Sequence, residues 1–416
     1  MDSTYLDFLQ KCCCPVSFCR FAKRNLILNG FQEVDFKKQS EIPKKGFYNR
    51  DDRSIVAYNI GGYNSMVICA SHSDSPCLKL MPVTDILKNG YICLNTASYA
   101  GGLSYSWFGR DLRLTGTIYF RNGENIESSF IDSERGIAFL PFANSYTPEK
   151  DILSLEIERD ESMKAICAIN GIPIIEYISK ELSITKEQII SSNLYLSDAF
   201  PPQIVNSTFV SSGRLDNLSS AYASLVSFIE STPYNNINVF AVYDHEEIGS
   251  FSHWGALNDQ LETIISYICN SAKIDPFSLK SKSLIISADA SHNKHPCYIM
   301  DLEEKHPIFP SKGVILKTTG TTSTGNNVFG VLVIKEAAKR ANTMLQMFSR
   351  KNVANSGGTI GPKMEMLNSI NTIDIGASMW AMHSSRETMS LCDENSLIKL
   401  IKTIYQQYES IRDKIG

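Results

Sequence analysis

Three apolar runs set the frame of this chain: Met66-Val67-Ile68-Cys69-Ala70, the stretch from Ile237 to Tyr243, and Ser283-Leu284-Ile285-Ile286-Ser287. Each reads as a buried strand. An N-terminal helix and a short β region precede the first run. Helical patterns follow at about Asn217 to Glu230, at about 326–345, and at Ser396 to Ile411, the last an amphipathic closing helix. This alternation predicts an α/β fold with a mostly parallel central sheet covered by helices. Between about 80 and 205 the pattern changes. Leu112, Leu114, Ile118 and Phe120 stand at even spacing and face one way, and Arg121-Asn122-Gly123 reads as a hairpin turn. With Gly101-Gly102 and Pro201-Pro202 near its edges, this β-rich stretch reads as an insertion. The expected division is therefore a discontinuous domain of residues 1–80 and 206–416, interrupted by a β-rich domain of residues 81–205.

Composition narrows the class. The 43% apolar and 20% charged fractions are those of an ordinary globular protein. A net charge of −4 with no basic stripe argues against a nucleic-acid partner. No apolar run approaches the ~20 residues that span a bilayer. The start, Met1-Asp2-Ser3-Thr4, lacks the basic and apolar regions of a secretory signal. Eleven cysteines, odd in number and irregular in spacing, include Cys12, Cys13, Cys14 and Cys19 without a companion set for zinc. They read as reduced thiols, and a cytoplasmic location is expected. Gly357-Gly358-Thr359-Ile360-Gly361-Pro362 lacks the Lys-Ser/Thr of a phosphate-cradling loop.

The chemistry gathers where strands end. Ligands of parallel α/β sheets collect outside the carboxyl ends of the strands. The first run leads into Ser71-His72-Ser73-Asp74, the second into Asp244-His245-Glu246-Glu247, and the third into Ala288-Asp289. Adjacent carboxylates raise each other's pKa unless a cation sits beside them. A bound metal is one solution: one carboxylate ligates it while its neighbour handles a proton of bound water. Asp216, at a helix start, is by itself a capping residue, and His383 by itself a core histidine. Taken jointly they fit a site. His72 and Asp74, two apart, point to one face of an extended chain, so the aspartate can orient the imidazole. Two divalent ions supply +4, which Asp216, Glu247, Asp289 and a bridging hydroxide balance, leaving Glu246 free to take a proton. Ligands without thiolate suit zinc first, then cobalt or manganese.

These residues resemble the aspartyl aminopeptidase and vacuolar aminopeptidase I family of two-metal exopeptidases. The likeness runs in order through Ser71-His72-Ser73-Asp74-Ser75-Pro76, Ser106-Trp107-Phe108-Gly109-Arg110-Asp111-Leu112 and Arg214-Leu215-Asp216-Asn217. It continues through Tyr243 to Ser250, Ser287-Ala288-Asp289, Gly358-Thr359-Ile360-Gly361-Pro362 and Met382-His383-Ser384-Ser385-Arg386-Glu387. The resemblance implies a zinc exopeptidase-like fold in which His72 and Asp289 bind one metal, Glu247 and His383 the other, and Asp216 bridges them. Glu246 is then the general base, with Asp74 supporting the site. It also implies a homo-oligomer, a tetrahedral dodecamer, whose assembly the inserted β domain supports. The substrates are then peptides with a free N-terminus. Lys317, in Lys312-Gly313-Val314-Ile315-Leu316-Lys317, and His292 fall on substrate-contacting positions of members that prefer N-terminal Asp or Glu. Two positions depart from that pattern: Ile137-Ala138-Phe139-Leu140-Pro141 holds no histidine, and Thr324 stands where a tyrosine is expected. The alternatives are a broad or neutral-specificity aminopeptidase, a related two-metal deacylase, and an inactive assembly on a degenerate scaffold.

Overall fold

The run that begins at Met66 is a strand to His72, buried along its whole length. Its alternate residues serve two cores: Val67 and Cys69 pack on one face, Met66, Ile68 and Ala70 on the other. With both faces apolar, alternation vanishes and the run looks continuously hydrophobic. Ile237–Tyr243 and Leu284–Ala288 are built the same way. The computed structural model describes residues 2–36, 42–102, 105–142, 163–168, 172–297, 304–318, 323–349 and 357–415.

These strands form the middle of a nine-stranded sheet. Ile237–Tyr243, Met66–His72, Leu284–Ala288 and Asn371–Gly376 run parallel as neighbours in that order. Antiparallel pairings flank them: Ser54–Ile60 on one side, Val314–Lys317 on the other. Helices Leu215–Ile229, Val328–Ala341 and Leu391–Ile415 cover one face. Helices Gln260–Ala272 and Gly361–Asn368 cover the other. The parallel strands thus present their carboxyl ends along one edge. No helix of the described residues is long and apolar enough to cross a membrane.

Two helical expectations shift. The pattern over 326–345 resolves into the helix Val328–Ala341 and a strand, Leu345–Phe348, which pairs parallel with Val314–Lys317. Asn342, at φ +48°, ends the helix in the left-handed conformation, and the apolar residues beyond it serve the sheet instead. The closing helix is longer than 396–411, running Leu391–Ile415.

The β-rich stretch closes into a six-stranded barrel of Cys77–Lys88, Tyr91–Tyr99, Arg110–Asn122, Asn125–Leu140, Ile166–Ala168 and Ile189–Asp198. Leu112, Leu114 and Ile118 are fully buried inside it, while Phe120 packs at its margin, partly exposed. Asn122 pairs with Asn125 across the turn, where Gly123 adopts φ +61°. A third, five-stranded sheet joins Gln203–Val205, Phe209–Ser212, Glu387–Ser390, Ser378–Trp380 and Ser291–His292. All eleven cysteines carry free thiols, and burial pushes Cys12, Cys13, Cys14 and Cys19 up from the ordinary thiol range.

Arg53 anchors the turn that leaves Ile237–Tyr243. Its Nε donates to Asp244 Oδ2 at 2.6 Å, and its Nη2 reaches Tyr195 Oη at 3.2 Å and His245 Nε2 at 2.9 Å. The indole of Trp254 lies 4.2 Å from the guanidinium carbon. Asp244 is fully buried, so losing its partner strands a charge. Arg53→Met is predicted to lower unfolding free energy by about 3–5 kcal/mol in urea titration. A loss below about 1 kcal/mol, the range of an exposed pair, would show that this contact does not hold the turn.

Candidate active site

Every residue singled out for chemistry lies at one edge of the sheet or beside it. His72 is the last residue of its strand, and Asp289 follows Leu284–Ala288. Glu246 and Glu247 open a single 3-10 turn after Tyr243, with His245 at φ +61° turning the chain. Asp289 sits close against the neighbouring strand, donating its N–H to Ile375 O at 2.9 Å. A Cβ at Gly376 would run into the Asp289 carbonyl, so that approach requires glycine. Asp216 lies within the first turn of Leu215–Ile229, yet its backbone and that of Asn217 are non-helical, and the peptide between them is cis. The Asp216 carboxylate does not cap the helix: its Oδ1 has no hydrogen-bond partner and its Oδ2 faces His383 at 3.2 Å, so it enters the site.

The side chains converge closely. Asp216 stands between the imidazoles, its Oδ1 3.7 Å from His72 Nε2 and its Oδ2 3.2 Å from His383 Nε2. Asp289 Oδ1 is 3.8 Å from His72 Nε2, and Glu247 Oε1 is 3.4 Å from His383 Nε2. The adjacent glutamates point apart: Glu247 to His383, Glu246 to His72 at 3.9 Å. A cleft of about 530 Å³ opens onto them, lined also by Lys317, His292, Thr324 and Lys363. Lys317 is almost wholly buried, its Nζ 3.8 Å from Asp289 Oδ2. Ile137 to Leu140 lies in the barrel strand Asn125–Leu140.

An outer layer fixes these groups. His72 Nδ1 meets both the Asp74 backbone carbonyl, at 3.0 Å, and its carboxylate, at 3.3 Å, and the carboxylate accepts the N–H of both Glu246 and Glu247 at 3.1 Å. Tyr99, from the barrel, donates its hydroxyl to Asp74 at 2.9 Å. Glu387 plays the corresponding part on the other side, accepting from Asp216 N at 3.0 Å and His383 N at 2.8 Å. Sequence reasoning gave no task to Glu387, Tyr99 or Lys363. Glu387 closes a quoted motif and Lys363 follows one directly, but only the fold shows what they touch.

The electrostatics are those of a crowded acidic pocket. Burial, opposed by His72 and reinforced by Asp289, Glu247 and Asp74, pushes the Glu246 carboxyl up to about 8. Burial likewise raises Glu247 to about 7, opposed by the neighbouring His383 imidazole. Although burial disfavours its charge, Asp216 and Glu247 hold the His383 imidazolium up to about 11. Asp289, despite burial, is held down to about 2, chiefly by Lys317. The carboxylates thus draw positive charge onto the imidazoles, the charge a metal cation would bring.

The site fits such a cation. Asp216 Oδ1 and Glu247 Oε1 are buried without a hydrogen-bond partner, which is costly for a carboxylate unless a cation completes it. His72, Asp216 and Glu247 each offer a ligand atom, all within 4.8 Å of one another. Nitrogen and oxygen donors without sulfur suit zinc, cobalt or manganese.

Such a donor set, at the carboxyl ends of parallel strands and open to a cleft, defines a metal-dependent hydrolase. The chain belongs to the aminopeptidase I zinc metalloprotease family (M18), whose model matches residues 8–405. It is a zinc aminopeptidase by membership. Aspartyl aminopeptidase 4 of Saccharomyces cerevisiae is 28% identical, over 99% of this chain and 95% of its own length. Aspartyl aminopeptidase 1 of Schizosaccharomyces pombe is 29% identical, over 99% and 96%. Among solved structures, a chain of the Ape4 and Nbr1 complex superposes with a TM-score of 0.94 at 26% identity, covering 99% of this chain and 86% of that one. The Saccharomyces cerevisiae mApe1 dodecamer shares the fold, with a TM-score of 0.85 at 22% identity, covering 100% and 98%.

Because Asp74 orients His72 and both glutamate amides, Asp74→Asn is predicted to weaken zinc binding by about 10- to 100-fold. Competition against a calibrated chelator measures it. Unchanged affinity would reduce Asp74 to a structural residue.

Proposed function

We propose that this chain is a two-metal aminopeptidase that removes acidic residues from the N-termini of peptides. The carrying observation is the placement of Asp216 between two imidazoles, 3.7 Å from His72 and 3.2 Å from His383. One carboxylate with an imidazole on either side suits two cations sharing a ligand. In this reading His72 and Asp289 hold one ion, Glu247 and His383 the other, and Asp216 bridges them. Zinc fits best, with cobalt or manganese as substitutes. Bound metal supplies polarisation of the scissile carbonyl and an acidified water.

The chain's own residues do the rest. Glu246, whose Oε2 faces His72 at 3.9 Å beside the ligand Glu247, takes the proton of the attacking water and returns it to the leaving amine. Asp74 keeps the Glu246–Glu247 turn and His72 in register. Lys317 and His292, both lining the cleft, contact the N-terminal residue of the substrate, with Lys317 supplying the charge for Asp or Glu.

Residues 1–80 and 206–416 act as the catalytic unit, and residues 81–205 as the inserted unit that supports a homo-oligomer, a dodecamer of the kind formed by the mApe1 relative. The protein acts in the cytoplasm. A broader, neutral specificity is the second reading, favoured by Lys317 lying 3.8 Å from Asp289, where its charge is already partly used.

Two variants test this. Glu246→Gln is expected to keep its metal content, measured by atomic absorption, while kcat falls by about 10²- to 10⁴-fold. Near-normal turnover would remove Glu246 from the reaction. Hydrolysis of N-terminal Asp, Glu, Leu and Lys amides, with and without chelator, gives the specificity, and chelator should abolish all of it. Lys317→Ala is expected to lower kcat/KM for Asp and Glu substrates by about 10-fold or more while Leu substrates change little, the loss of one charge-assisted contact. Equal losses on every substrate favour the neutral reading.

A further inference from the structure

Lys363 is a cation of the cleft with no part in the reading above. It lies in the first turn of helix Gly361–Asn368, directly after Pro362, and its side chain is 25% exposed. Its Nζ is 3.7 Å from Glu246 Oε1 and donates to Ser250 Oγ at 3.1 Å. Lys317, the other ammonium lining the cleft among the described residues, faces a different carboxylate, Asp289. The two lysines therefore address different parts of a bound substrate.

The proton transfer says which part meets Lys363. A base that hands its proton to the leaving amine holds that nitrogen within hydrogen-bond reach, about 3 Å. The nitrogen belongs to the residue after the scissile bond. Backbone bonds of about 1.5 Å place the α-carboxylate carbon of that residue about 2.5 Å from the nitrogen when it is the last of the chain. An acidic side chain on the same residue lies a little further out. An ammonium 3.7 Å from the Glu246 oxygen can reach either group when the leaving residue extends toward helix Gly361–Asn368. Lys has three N–H donors. Ser250 takes one and Glu246 faces the ammonium, which leaves capacity for another acceptor from the cleft.

We propose that Lys363 binds a carboxylate on the leaving-group residue, either the α-carboxylate of a dipeptide or an acidic side chain, and so sets specificity on the far side of the scissile bond. The proposal rests on Glu246 as the base of an aminopeptidase. It extends that reading from the residue removed to the one released behind it. The competing view is a solvated helix lysine without a ligand, for which the nature of the leaving group would not matter.

The test uses the metal-loaded full chain and Lys363→Met, which keeps an unbranched stem one atom shorter and removes the charge. Substrates are X-Ala, X-Ala amide and X-Glu amide, each with Asp and with Leu as X, so that N-terminal preference is separated from leaving-group preference. The wild type is expected to favour X-Ala and X-Glu amide over X-Ala amide by about 10-fold in kcat/KM, the worth of one charge-assisted contact. Lys363→Met is expected to abolish that preference through KM, and Lys363→Arg to retain most of it. Loss confined to X-Ala assigns the α-carboxylate; loss confined to X-Glu amide assigns the side chain.

Calorimetry with reduced-bond Asp-Ala and Asp-Glu amide analogues gives a readout free of turnover: the Kd of the one whose carboxylate Lys363 binds should rise about 10-fold in Lys363→Met, and that of the reduced-bond Asp-Ala amide should not change. Equal losses on all substrates overturn the proposal. So does a fall in kcat with unchanged KM, which would place Lys363 on Glu246 rather than on substrate. If the wild type cleaves none of the substrates, the aminopeptidase reading fails, and this proposal fails with it.

Discussion

The crowding of like charge at the sheet edge is the constraint on which the rest depends. Asp74, Asp216, Glu246, Glu247, Asp289 and Glu387 are all buried or nearly so within one pocket. The fold manages them in two ways. Asp74 and Glu387 are satisfied by backbone amides, two each, and so serve to fix loops. Asp216 and Glu247 each keep an oxygen that faces an imidazole but has no hydrogen-bond partner. The outer carboxylates are thus consumed in holding the inner ones open, which is the arrangement that metal ligands need. Lys317 and Lys363 stand beside Asp289 and Glu246 and partly offset the charge.

Much of this was legible in the chain because a strand buried on both faces is an unbroken apolar run, and the first polar residue beyond it must lie at a sheet edge. His72, the Glu246–Glu247 pair and Asp289 are marked in that way. Asp216 was ambiguous for a physical reason: a helix start offers an aspartate a capping task, and only the folded chain shows its oxygens turned to His72 and His383 instead of to helix amides. Glu387 carried no such mark. Its acceptor role depends on Asp216, 171 positions away, and on a turn at His383 that no periodicity announces. Lys363 looks like any helix lysine until the fold sets Glu246 beside it.

The helix expected over 326–345 shows the limit from the other side. Apolar residues continue past Asn342, so the pattern alone gives no reason to stop. What ends the helix is the demand of Val314–Lys317 for an edge partner, met by Leu345–Phe348. Pairing across such separations is a tertiary event, and it overrides local preference. The even spacing of Leu112, Leu114 and Ile118 likewise revealed a strand, but not that the intervening Arg113, Thr115 and Thr117 would be buried as well, nor that six strands would close on themselves.

Closure matters because the barrel also braces the active site from outside the cleft. Tyr99, on a barrel strand, donates to Asp74 at 2.9 Å, and Ser106 accepts the N–H of Ser385 at 3.1 Å, two residues past His383. A side chain at Gly102, itself at φ +83°, would meet the His383 Cβ at 2.7 Å. Asp198, at the end of another barrel strand, binds Arg110 and reaches Arg386 at 3.0 Å in the same loop. Burial and the nearby Asp74 push the Tyr99 phenol far above its ordinary range, so it stays a donor to Asp74. Both histidines are therefore positioned in part by residues of the β-rich segment: His72 through Tyr99 and Asp74, His383 through Gly102 and the Ser106–Ser385 contact. A segment that sequence pattern presents as an interruption is, in the folded chain, part of what holds the imidazoles on either side of Asp216.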